Sequence, residues 1–127
     1  MKRVLIFEKD KFTSEILAES VSSLGFDPLL YNPEENLLVV LRRSEPDIVI
    51  MCLGLYSGKQ ELYRLALKLN QKKLVVILTS NSLIEPSTLK EFNASIFLHK
   101  PYDLEELGRV LYQSVVLLNK DAKEMSC

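Results

Sequence analysis

Four short groups of polar residues have side chains that could do chemistry, and each group directly follows or ends an apolar run. Glu8-Lys9-Asp10 carries two carboxylates and an ammonium group, and Cys52 carries a thiol. Thr79-Ser80 carries two hydroxyls, and His99-Lys100-Pro101 adds a second ammonium group. Carboxylates bind hard cations, lysines bind anions, and a thiolate is a nucleophile. A cleft that collects these groups could bind a small ion or hold a reactive side chain.

The apolar runs that precede these groups are typical of strands. They are continuous rather than alternating, which indicates burial on both faces of a parallel sheet. A further run is shorter and contains a proline, so we expect it at a sheet edge. The four continuous runs are Val4–Phe7, Ile48–Leu53, Leu74–Thr79 and Ile96–Leu98, and the edge candidate is Pro28–Tyr31.

Amphipathic segments separate the strands and predict five helices. They are Phe12–Leu24, ended by Gly25, then Asn36–Arg43, Leu62–Leu69, a short helix opening at Pro86, and Leu104–Leu118, with Asp103 as its N-cap. The core faces of the first and third are predicted to be Phe12, Ile16, Leu17, Val21 and Leu24, and Leu62, Leu65, Ala66 and Leu69. Strand and helix repeated five times predict an α/β fold, a doubly wound five-stranded parallel sheet with helices on both faces. Because ligands bind such sheets at the carboxyl ends of the strands, the polar groups should converge there.

Composition narrows the class of protein. The 127 residues suit one domain, expected over residues 1–119 with a polar tail at 120–127. Acidic and basic residues are interspersed with a net charge of −1, which argues against nucleic acid or an anionic membrane as a partner. No apolar run could span a bilayer, and Glu8 interrupts the first run before it could form a signal peptide. Two cysteines, one in an apolar run and one at position 127, favour a reducing cytoplasm.

The order of the motifs resembles the CheY-like receiver domain of bacterial two-component response regulators. The resemblance runs from Lys2 to about Leu118 and is carried by Pro46–Ile50, Val76–Ser80 and His99–Leu104. It implies a flavodoxin-like fold with strand order 2-1-3-4-5. It also implies a chemistry, the magnesium-assisted transfer of a phosphoryl group from a kinase histidine to an aspartate at the end of the third strand.

This sequence meets that chemistry only in part. The resemblance implies that Lys100 and Thr79 contact phosphoryl oxygens and that Glu8 is the first acidic residue. Lys9 stands at the second acidic position, and Asp10 comes one position late. The acceptor position is occupied by Cys52, and a thiolate is a poor partner for magnesium. We therefore expect a degenerate acceptor pocket, weak or absent magnesium binding, no resident metal or cofactor, and no enzymatic activity.

Two further positions follow from the resemblance. Phe97 occupies the place of a switch aromatic on the fifth strand and lacks the hydroxyl often found there. The Lys100–Pro101 peptide is a candidate for the cis form.

Several interpretations remain open from sequence. The first is a phosphorylation-independent receiver in signal transduction, which contacts a protein partner or a second copy through surplus apolar residues of the fifth helix, Val110, Val116 and Leu117. The others are a receiver still phosphorylated on Asp10 or Glu8, a thiol switch at Cys52, and a small-anion site formed by the lysines. A flavin or other cofactor carrier is disfavoured, since no glycine-rich loop follows the first strand. The purely structural alternatives are an ion pair of Glu8 or Asp10 with Lys100, and a Cys52 that acts as a small buried apolar residue.

Overall fold

The computed structural model describes residues 1–53, 59–70 and 72–125, with side chains described through residue 120. Strands and helices alternate along the chain as predicted. The strands are β1 (Arg3–Phe7), β2 (Asp27–Leu30), β3 (Ile48–Cys52), β4 (Val75–Ser80) and β5 (Ile96–His99). The helices are α1 (Lys11–Ser23), α2 (Leu37–Ser44), α3 (Gln60–Leu69), α4 (Pro86–Glu91) and α5 (Leu104–Met125).

The five strands form one parallel sheet of order β2-β1-β3-β4-β5, which confirms the predicted order. The proline-containing strand β2 lies at one edge, as predicted, and β5 lies at the other. All strands run in the same direction, so their carboxyl ends share one edge of the sheet. In register, Cys52 pairs with Thr79, and Thr79 pairs with Leu98.

Successive residues of each central strand point into two separate cores. Leu5, Val49 and Leu78 pack with helices α2 and α3, whereas Ile6, Ile50 and Ile77 pack with α1 and α5. This explains why the central strands are continuous apolar runs, since neither of their faces meets water. None of the helices in the described ranges is both long enough and apolar enough to cross a membrane.

The core faces predicted for two helices are partly wrong. On α1 the buried residues are Ser14, Leu17 and Val21, while Phe12 and Ile16 are exposed. Both helices carry apolar residues on more of their circumference than one stripe requires. Only the stripe that faces the sheet is buried.

On α3 the buried residues are Tyr63, Ala66 and Leu67, whereas Leu62, Leu65 and Leu69 are more than half exposed. The ring of Tyr63 contacts those of Phe7 and Tyr31 edge-on, with centroids 5.4 and 5.7 Å apart. These aromatic contacts select the Tyr63 face of α3 for the core.

The fifth helix also departs from its predicted limits and surface. Its backbone continues to Met125, into the segment predicted as a polar tail. Val110 is buried at 5% exposure because it lies on the core stripe with Leu107 and Leu111, so its prediction as a surface residue is wrong. Leu117 is half-buried against the same core, and Val116 is exposed.

Candidate functional site

Residues from three strand ends meet at the carboxyl edge of the sheet. Glu8 follows β1, Cys52 ends β3, and Lys100 follows β5. Phe7 pairs with Met51 in register, so the next residue on each strand, Glu8 or Cys52, lies level with the other. This confirms the predicted convergence for three of the candidate residues.

Lys100 is the centre of this cluster. Its Nζ donates hydrogen bonds to Glu8 Oε2 at 2.9 Å and to Cys52 Sγ at 3.0 Å. The Glu8 and Lys100 side chains are 6% and 19% exposed, and Cys52 is 9% exposed. The backbone N–H of Lys100 also donates to the carbonyl of Ser80 at 2.8 Å, which fixes the start of the loop after β5. The three side chains therefore form a compact, mostly buried group.

The charge state of Lys100 follows from opposing effects. Burial alone lowers the pKa of its ammonium group, because burial penalises the charged form. The hydrogen bonds to Cys52 and Glu8, together with the charges of these groups, outweigh burial and raise the pKa above its ordinary value. Lys100 is thus held as a cation between a carboxylate and a sulfur atom.

Asp10 and Lys9 lie outside this cluster. Asp10 is the N-cap of α1, and its carboxylate accepts a hydrogen bond from the Thr13 backbone N–H at 2.9 Å. The Thr13 hydroxyl and backbone hydrogen bonds lower the pKa of Asp10. Lys9 is exposed. The capping role explains why Asp10 does not turn toward Lys100.

The other predicted positions occupy the surroundings of the cluster. Thr79 is buried and lies between Cys52 and Leu98 in the sheet. Phe97 is half-buried, packs on the core, and its ring lies 6.2 Å from the His99 ring in an edge-on arrangement. The Lys100–Pro101 peptide is cis, as expected.

The side chains that meet here are a poor fit for magnesium. The cluster offers one carboxylate, which already accepts from Lys100, and one soft sulfur atom. Magnesium requires several hard oxygen ligands. Within the ranges that the structure describes, no group of three or more His, Cys, Asp and Glu side chains is placed to hold a metal ion.

A cavity of about 430 Å³ opens beside Lys100, and sequence reasoning did not find it. Its walls include Thr13 and Ile16 from α1, Tyr102 from the loop after β5, and Leu104 from α5. Burial raises the pKa of Tyr102, while the charge of Lys100 opposes that shift. The spacing of the lining residues along the chain does not show that α1 and α5 are neighbours. That follows only from the strand order, which the family resemblance implies.

Comparison with known proteins identifies this architecture at the level of structure only. No protein-family model and no curated protein match the sequence. Among solved structures, a signal receiver domain from Vibrio parahaemolyticus superposes with a TM-score of 0.80 at 18% identity, over 95% of each chain. A CheY-like response regulator receiver domain from Methylobacillus flagellatus gives a TM-score of 0.73 at 21% identity, over 90% of this chain and 98% of that one.

A response regulator from Thermotoga maritima gives a TM-score of 0.72 at 16% identity, over 91% of this chain and 98% of that one. Identities this low establish the fold alone. The chain has the five-stranded, flavodoxin-like fold of response regulator receiver domains.

Proposed function

We propose that this protein is a receiver-type signalling module that acts by protein–protein contact in the cytoplasm and accepts no phosphoryl group. The observation that carries the proposal is the thiol of Cys52 at the end of β3, held at 3.0 Å by the ammonium group of Lys100. In a phosphorylatable receiver, the resemblance implies a carboxylate at this position. We propose that the protein has no catalytic activity of its own.

The charge balance of the cluster supports this proposal. Lys100 and Glu8 form a partly buried ion pair at 2.9 Å, so the lysine charge is compensated without a phosphoryl group and the carboxylate charge without a metal. A hard cation would have to compete with Lys100 for the single carboxylate. We propose that magnesium binding is weak or absent for this reason.

The same contacts weigh against a relocated acceptor. Glu8 is engaged by Lys100, and the Asp10 carboxylate caps α1. A phosphoryl group on Asp10 would remove the cap of the helix. A still-phosphorylated receiver is therefore the less favoured alternative.

Protein contact is favoured by an exposed apolar surface. Helix α5 exposes Leu104, Tyr112 and Val116 spread along its length, whereas α3 exposes three leucines on neighbouring turns. Of the three α5 residues expected at an interface, only Val116 is exposed, at 46%. Leu62, Leu65 and Leu69 of α3 lie on successive turns, with the spacing of a helix-pairing seam. We propose this α3 stripe as the contact surface.

A second copy of the chain is the partner that the surrounding charges favour. Glu61 and Lys68 lie two turns apart on the same side of the α3 stripe, one near each end, and Glu61 also pairs with Arg64 of its own helix at 2.8 Å. In an antiparallel pair about a two-fold axis near Leu65, Glu61 of each copy faces the partner's Lys68. Such self-complementarity is the requirement of a two-fold interface.

Sedimentation velocity with and without magnesium and a small-molecule phosphodonor tests this function. We expect the same concentration-dependent dimer in both conditions, because association does not depend on a phosphoryl group. Leu65→Ser should yield monomers, and Val116→Ser on α5 should not. Glu61→Lys should weaken the dimer, and the double variant Glu61→Lys/Lys68→Glu should restore it.

A monomeric wild-type protein would contradict the proposed homodimer. A dimer that forms only with the phosphodonor would contradict phosphorylation independence. A dimer that is lost in the Val116→Ser variant but kept in the Leu65→Ser variant would show that the interface lies on α5 rather than on α3.

A thiol-based switch at Cys52 is the second candidate function. It is favoured by the 3.0 Å contact between Cys52 Sγ and Lys100 Nζ, which distinguishes this thiol from an ordinary buried apolar residue. The alkylation rate of Cys52 at neutral pH tests it. A rate like that of free cysteine, or slower, would argue against the switch.

A further inference from the structure

The pairing of Cys52 with Lys100 places two nucleophiles at reacting distance on different strands. The Sγ and Nζ atoms are held 3.0 Å apart by the hydrogen bond that the Lys100 ammonium group donates, so a nitrogen lies beside the sulfur when the sulfur is oxidised. The residues lie 48 positions apart in sequence, and β4 separates their strands in the sheet. A bond between them would therefore link distant parts of the fold.

We propose that Cys52 and Lys100 form an oxidative cross-link, a sulfenamide bond between Sγ and Nζ, when the protein meets hydrogen peroxide. This proposal concerns a modification site and does not depend on whether the protein accepts a phosphoryl group or forms a dimer. It stands on the contacts of Cys52, Lys100 and Glu8.

In the first step, Cys52 Sγ attacks one oxygen of the peroxide. An S–O bond forms, the O–O bond breaks, and the second oxygen leaves as water after taking a proton. The sulfur is oxidised by two electrons to a sulfenic acid, and the peroxide is reduced. Cys52 is 9% exposed at the carboxyl edge of the sheet.

In the second step, Lys100 captures the oxidised sulfur. The ammonium group gives one proton to the sulfenic oxygen as the S–O bond breaks and water leaves, and its nitrogen forms the N–S bond with Sγ. The protonated sulfenamide then loses its extra proton to the Glu8 carboxylate, which already accepts the Lys100 hydrogen bond at 2.9 Å. Overall, one thiol, one amine and one peroxide give one sulfenamide and two water molecules, with no further oxidant.

The surroundings of Cys52 favour this product over continued oxidation. A sulfenic acid condenses with a nearby nitrogen when one is available and otherwise oxidises further. Lys9 follows the same strand as Glu8 and is exposed, so it serves as a control for reaction with an arbitrary amine.

Peptide mapping after peroxide treatment tests the proposal. The full chain carrying Cys127→Ser, which removes the other thiol, is treated with hydrogen peroxide and digested without reductant. We expect an intact mass reduced by two hydrogen atoms, a linked peptide pair containing Cys52 and Lys100, and loss of the link on addition of dithiothreitol. Lys9→Arg should give the same linked pair.

Lys100→Arg is the matched variant, since it keeps the positive charge beside Cys52 and Glu8 but replaces the amine. We expect no link in this variant, and a sulfenic acid that a dimedone probe captures. The proposal is overturned if the Lys100 protein carries only added oxygen on Cys52, or if Cys52 links to Lys9. Should Lys100→Arg fail to fold, the mapped link in the Lys9→Arg protein still decides the question.

Discussion

Lys100 joins the residues of the strand-end cluster into one hydrogen-bonded group. Its ammonium group contacts a carboxylate and a sulfur atom together, at 2.9 and 3.0 Å. The positions of Glu8, Cys52 and Lys100 were predictable because each adjoins or ends an apolar strand. Their division of roles is less accessible from sequence, because Asp10 is also close enough in the chain to contribute to the cluster. Its place directly before an amphipathic helix was the available signal for a cap.

The charge of Lys100 should contribute to the free energy of unfolding at neutral pH, and this contribution should disappear at alkaline pH. The pKa of Lys100 is raised above its ordinary value of 10.5, so its contacts stabilise the fold fully below that value. That contribution is lost as the pH rises through the folded-state pKa. We expect wild type to unfold at higher urea concentration than Lys100→Met from neutral pH upward, with a difference that shrinks above pH 10.5.

Exposed Lys9 provides the control for this experiment. Lys9→Met should leave the urea midpoint near that of wild type throughout the alkaline range, since surface charges contribute little. A Lys100→Met difference that stays constant to the highest pH would show that packing of the side chain, rather than its charge, is responsible.

At the scale of the helices and strands, the strands were predicted well and the helix faces less well. A strand buried on both faces requires only a continuous apolar run, which the sequence displays directly. Helices α1 and α3 carry apolar residues outside the buried stripe, among them Phe12 and Leu65, so periodicity alone left their core faces ambiguous. The choice depends on long-range contacts such as that of Tyr63 with Phe7.

The N-cap of α2 gives a test at this scale. The Asn36 side-chain oxygen accepts a hydrogen bond from the Val39 backbone N–H at 3.2 Å. Asn36→Ala removes that acceptor and should lower the free energy of unfolding by about 1 kcal/mol. Asn36→Asp retains an acceptor of similar geometry and should cost far less, as measured by chemical denaturation. Equal losses in both variants would contradict the capping role.

The fold of the whole molecule is a parallel sheet with helices packed on both faces. Alternation of strands and helices predicted that covering from the sequence, and the family resemblance supplied the strand order that the structure confirms. The cavity between α1 and α5 follows from that order, because the two helices share one face of the sheet. Helix α5 also extends beyond its predicted end, since a polar sequence such as that after residue 119 does not by itself terminate a helix.

Burial in the centre of the sheet predicts a large cost for truncation there. Ile77 on β4 is fully buried in the core shared with α1 and α5. Ile77→Ala should lower the free energy of unfolding by about 2–5 kcal/mol, from lost transfer energy and the cavity left behind. Leu104→Ala, at a half-exposed site on α5, should cost much less. Similar losses at both sites would contradict the two-sided core.

The measurement that tests the central claim most directly is the intact mass of the protein after incubation with magnesium and a small-molecule phosphodonor, beside Cys52→Asp. We expect wild type to gain no phosphoryl group, because the strand-end position holds a thiol that contacts Lys100. Cys52→Asp restores a carboxylate at the position that the family resemblance assigns to the acceptor, and we expect it to gain one group. A phosphoryl adduct on the wild-type protein would contradict the account, and mapping it would identify the residue that accepts the group.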